Sequence, residues 1–157
     1  MKNLITNKQV ISLAFGDGDY IPAEVVAETD IALAQHRYIT PILGSALCES
    51  ALGEVYAELV NEYVAPALAF AVRTLIQPAL NVRCGQTGLV APSTPVSEAA
   101  TSSAAQALQR SLELRRDGLL KRLSDHLAEH AERYAEYNPK ADAMQKCQTY
   151  GGFIQIH

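Results

Sequence analysis

Two histidines and a glutamate in this chain stand at the spacing of a metal site. His126-Leu127-Ala128-Glu129-His130 reads H-x-x-E-H, the inverted zinc-protease pattern. Histidines four apart on a helix share a face and can hold one zinc ion, with the glutamate beside its bound water. A working centre needs a third protein ligand. Only 27 residues follow His130, and their acids are Glu132, Glu136 and Asp142. The first two continue the same helix, which cannot easily fold a ligand back onto the metal. A metal-dependent hydrolase built on His126, Glu129 and His130 is therefore an alternative. The plainer reading is a pair of exposed histidines on a charge-patterned helix.

The other patterns are weaker. Phe15-Gly16-Asp17-Gly18-Asp19 offers two spaced aspartates, and Glu28 falls twelfth from Asp17. A calcium loop needs oxygen ligands between them, and Ile21, Pro22 and Val25 stand there instead. Di-iron bundles use a Glu-x-x-His step. The residues three before each histidine are Leu33, Leu123, Leu127 and Ile154, so that class is excluded. No G-x-x-x-x-G-K, G-x-G-x-x-G or G-x-S-x-G occurs. These absences favour a non-enzymatic protein with no cofactor and no metal.

Composition narrows the rest. The 157 residues suit one domain, and 48% are apolar. No Trp and three Phe argue against an aromatic-lined sugar or base site. A net charge of −4 argues against nucleic-acid wrapping, which needs a basic surface. No run of about 20 uninterrupted apolar residues occurs, and Thr6-Asn7-Lys8-Gln9 breaks the short N-terminal run, so neither a membrane helix nor a secretion signal is expected. Cys48, Cys84 and Cys147 are sparse and odd in number, as in reduced cytosolic thiols. Charge is uneven: residues 1–60 carry three basic and eight acidic side chains, whereas residues 101–137 carry six of each.

The elements that would position these residues are mostly helical. Thr6 or Asn7 caps a first helix to Ala14. A second starts near Pro22 and ends near Arg37-Tyr38, because the residue before Pro41 is pushed out of the helical region. Pro41 opens a third, through Cys48. A fourth, apolar nearly all round, runs from about Glu54 to Leu80, with a kink expected near Pro66 and an end near Pro78. Residues 81–97 form a long loop rich in Gly and Pro, and Leu89 and Val90 lie within a short strand candidate there. A long helix over 98–137 carries a stripe of Leu108, Leu112, Leu119, Leu123, Leu127 and Tyr134. Residues 138–157 are a tail, extended from Thr149, in which Phe153/Gln155 and Ile154/Ile156 take alternate faces as in a strand. These elements predict an all-α single domain. It is a bundle of about five helices over 1–80 and 98–137, with a Gly/Pro loop and a short extended tail.

Several segments in order resemble the head–tail connector (adaptor, or head-completion) proteins of tailed bacteriophages and prophages. They are Ile5-Thr6 with Val10-Ile11, then Asp30-Ile31 leading to Tyr38-Ile39-Thr40-Pro41-Ile42-Leu43-Gly44. Leu59-Val60 and Tyr63-Val64-Ala65-Pro66-Ala67-Leu68-Ala69 follow, then a loop after Asn81 and a long helix ending in Tyr134 to Asn138. The resemblance implies a virion protein of the head–tail junction, made in the bacterial cytoplasm. It implies a homo-oligomeric ring, commonly twelvefold, between the portal protein and a tail or head-closure protein. It further implies no enzyme activity, no sequence-specific nucleic-acid binding and no membrane. On this reading the partner-binding candidates are Leu89, Val90, Tyr150, Phe153, Ile154 and Ile156. A bacterial helical interaction module with no phage connection is the remaining alternative.

Overall fold

A computed structural model describes residues 2–16, 21–53, 55–81, 83–85, 88–90, 102–146, 148–150 and 153–155. Among these, five helices form an all-α body: α1 (Asn7–Ala14), α2 (28–43), α3 (Ser45–Leu52), α4 (Ala57–Leu80) and α5 (Ser102–Glu129). Two hairpins of three-residue strands accompany them: β1 (Arg83–Gly85) with β2 (Gly88–Val90), and β3 (Gln148–Tyr150) with β4 (Phe153–Gln155).

The capping signature of α1 works as its residues predict. The Thr6 hydroxyl accepts the Gln9 backbone N–H, and the Gln9 side chain accepts the Thr6 N–H at 2.8 Å. Helix α2 departs from expectation at both ends. Pro22 leads only a short 3-10 turn (Ala23–Val25), and α2 itself begins at Glu28. It does not stop before Pro41. A π turn over Gln35–Ile39 widens the helix just ahead of Thr40-Pro41, which removes the clash between the proline ring and the preceding turn. The helix then continues to Leu43 and breaks at Gly44, whose φ of 79° and ψ of 164° suit only glycine.

The same device recurs in α4. A π turn over Val60–Val64 precedes Ala65-Pro66. Pro78 does not end the helix, which runs to Leu80. Proline lacks the N–H that would bond the carbonyl four residues back, here that of Thr74. The Gln109 side-chain amide of α5 donates to that carbonyl at 3.2 Å and satisfies it. Helix α5 is shorter than the sequence suggests. It ends at Glu129, and a 3-10 turn (Ala131–Arg133) follows His130. Its expected start near Ser97 lies outside the described residues. Leu112, Leu123 and Leu127 of the stripe are buried, Leu119 is part-buried and Leu108 is exposed, while Leu120, outside the stripe, is buried.

Helix α4 is the centre. It packs against α5, α1 and α2, and Val64, Leu68, Val72, Leu123 and Leu127 sit in the core with Leu43 and Leu47. By length and composition α4 could cross a membrane, a property the search for uninterrupted apolar runs does not reveal. Half of its most apolar window is buried inside the body, as a core helix requires.

Candidate functional site

The H-x-x-E-H motif lies at the C-terminal end of α5, and its histidines are used for packing. The His126 ring stacks on Tyr63 of α4 with centroids 3.9 Å apart, and on His130 at 4.6 Å. His126 Nε2 lies 2.9 Å from the Tyr134 hydroxyl, and His130 Nδ1 lies 3.1 Å from the His126 carbonyl oxygen. The two imidazoles therefore face each other and do not converge on a shared point. No group of three His, Cys, Asp or Glu side chains that could hold a metal occurs among the described residues. The expectation of exposed histidines is also corrected: both are part-buried, because the chain leaves the helix at His130 and folds Tyr134 back over His126. Asp17 and Asp19 of the calcium-loop candidate lie outside the described residues.

This ring stack is pH-sensitive. Burial pushes the His126 pKa below its ordinary value, with His130 and Arg133 adding to the effect. A histidine held neutral by the fold contributes stability that is present above its unfolded value, about 6.5, and is lost as pH falls through its lower folded value. Thermal stability is expected to fall as the pH is lowered below about 6.5. His126→Phe keeps the stacking and should flatten that slope. An equally steep slope in the variant, by thermal melts across the window, would assign the effect elsewhere.

Next to the stack, Glu136 joins the end of the chain's helical part to the turn before α4. The Tyr56 hydroxyl donates to it at 2.7 Å and the Ser50 hydroxyl at 2.8 Å. These bonds hold the Glu136 pKa below the usual carboxylate range and push Tyr56 up. Tyr56 also meets the edge of Tyr134 at 5.3 Å.

A buried polar network fixes the segment after Asn138. Asp142 is 0% exposed, and so is Ser124 of α5. Asp142 Oδ2 accepts hydrogen bonds from Ser124 and Tyr137, each at 2.7 Å, and Oδ1 accepts the Met144 N–H at 2.8 Å. Gln145 donates to Ser124 at 2.9 Å, and the Ala143 N–H donates to the Pro41 carbonyl at 3.0 Å. Burial, then the bond to Asp142, raises the Tyr137 pKa far above the tyrosine range. This network straps the chain across the end of α2. Nothing in the spacing of these residues marks it, because its other members lie 13 or more residues from Ser124. Cys48 is buried beside Thr40, and burial raises its thiol pKa, so it serves as a small apolar core residue.

The partner-binding candidates fall on the hairpins. Leu89 lies opposite Cys84 and Val90 opposite Arg83, so the strand candidate in the loop has β1 as its backbone partner. Tyr150 lies opposite Phe153, and Thr149 opposite Ile154. The tail strand β4 has β3 beside it. Ile156 lies outside the described residues. The two hairpins are separate sheets, so these residues are not brought onto one strand ladder. Sequence reading passed over Leu114, which is 75% exposed on α5, and Val55, which is 69% exposed ahead of α4. The signal at Leu114 was an apolar residue on an otherwise polar side.

The chain belongs to the family of unknown function DUF6712, which matches residues 31–146, from α2 through the Asp142 strap. No curated protein and no solved structure matches it.

Proposed function

We propose that this chain is a structural assembly protein of a tailed phage or prophage. It would form a ring that joins the portal vertex of the capsid to the tail and extends the DNA channel. The observation that carries the reading is the ordered set of connector-like segments, most of which fall within the all-α body. Tyr38 to Gly44 forms the proline-bearing end of α2, and Leu59 to Ala69 forms the π turn and following stretch of central helix α4. The acidic excess is compatible with a channel wall that does not hold passing DNA. On this reading the Gly/Pro loop with Leu89 and Val90, and the tail with Tyr150, Phe153, Ile154 and Ile156, are arms that grip neighbouring subunits, the portal or the tail.

The test is incorporation into virions. The chain should be found in purified particles, and particles made without it should lack tails. Its absence from particles would leave the bacterial interaction module. Deleting residues 150–157 should leave the helical circular dichroism signal and melting temperature unchanged and weaken assembly, read by light scattering. Normal assembly of the truncated chain would remove the tail from the interface.

A further inference from the structure

The two most exposed large apolar side chains among the described residues lie in places of opposite charge. Leu114 is 75% exposed on the side of α5 away from the core. Ala107, Ser111, Leu114 and Gly118 follow one another there at helical spacing, and all are exposed. A Cβ added at Gly118 would meet nothing within 4 Å. Nothing in that surrounding space calls for glycine, which costs about 1 kcal/mol relative to alanine inside a helix. Residues 102–125 carry Arg110, Arg115, Arg116, Lys121 and Arg122 against Glu113, Asp117 and Asp125; Arg116 pairs with Asp117 and Lys121 with Asp125, which leaves Arg110, Arg115 and Arg122 against Glu113. A two-fold contact of α5 with its own copy would set these arginines against one another.

Val55, 69% exposed, belongs to an acidic end. It shares a surface pocket with Glu58, Arg133 and Tyr134, while Glu136 is tied to Tyr56 and Ser50. Glu58, Glu132 and Glu136 are exposed there, with Arg133 as the opposing base. At 1.5 Å per residue, Leu114 and Glu129 are about 22 Å apart along α5. The complementary surfaces are therefore too far apart to meet within one copy.

We infer that copies of this chain associate head to tail, the acidic Val55 end of one against the basic Leu114 face of α5 on the next. The inference rests on the connector reading and deepens it by naming the surfaces that meet. A contact between two different surfaces repeats, and it closes into a ring when its rotation allows.

Sedimentation velocity of the full chain across concentration and salt tests it. Wild type should associate at low salt and less at high salt. Arg110→Glu with Arg115→Glu, and separately Glu58→Lys with Glu132→Lys, should each weaken association on the order of a hundredfold. Each double variant has two surfaces of one sign, so an equimolar mixture of the two should associate again. Circular dichroism melts check that both fold. Three outcomes overturn the inference: a wild type monomeric at every concentration, variants that associate like wild type, or a mixture that stays apart. A wild-type monomer that binds a duplex DNA probe through Arg110 and Arg115 also overturns it, and assigns the face to nucleic acid. Incorporation into particles separates the two levels. A chain present in particles but monomeric in solution sinks the inference and leaves the connector reading. A chain that associates but is absent from particles sinks the connector reading alone.

Discussion

Asp142→Ala is expected to destabilise the protein by about 3 kcal/mol, or about 10 °C in Tm for a chain of this size. The carboxylate accepts from Ser124, Tyr137 and the Met144 N–H, and none of its surface is exposed. Alanine leaves all three donors without that acceptor in a dry site, and a buried donor without a partner is worse than one that was never there. Asp142→Asn should lose less. Its amide oxygen at the Oδ2 position can still serve Ser124 and Tyr137, and only the Met144 N–H then faces an NH2 group. Chemical denaturation of the two variants reads the difference. A loss under about 1 kcal/mol for alanine would mean that the strap after Asn138 contributes little to the fold.

Leu68→Ala is expected to be at least as severe, about 3–4 kcal/mol. Leu68 is fully buried on α4, which touches α1, α2 and α5. Its neighbours belong to several helices and cannot all collapse into the space, so a cavity remains. Leu114→Ala is the matched control. The same atoms are removed from a side chain that is mostly in water, and the change should stay within about 0.5 kcal/mol. Equal losses at the two positions, by denaturation, would show that the core is not centred on α4.

Helix type and the core stripe were legible because they depend on short-range periodicity. Thr6 and Gln9 announce α1, and Leu112, Leu123 and Leu127 announce the inner face of α5. Helix ends were less legible wherever proline was involved. Pro41 and Pro78 read locally as stops, but a π turn absorbs the first and Gln109, 35 residues from Thr74, compensates the second. The motif at His126 was visible and its chemistry was not, because Tyr63 and Tyr134 decide what those rings do. The Asp142 network was invisible for the same reason: its members meet only once the chain has folded back after His130. Leu114 carried a local signal, an apolar residue out of phase on a polar helix face.

The two π turns make chain length, more than residue identity, the constrained quantity in α2 and α4. Each turn holds one residue more than regular winding would. Losing a residue between 60 and 64 would tighten that turn and swing everything from Ala65 to Leu80 by about 100° about the helix axis. Leu68 and Val72 would then leave the core together, although no side chain had been changed. Single-codon gain or loss in these two stretches should therefore be purged during divergence more strictly than most substitutions.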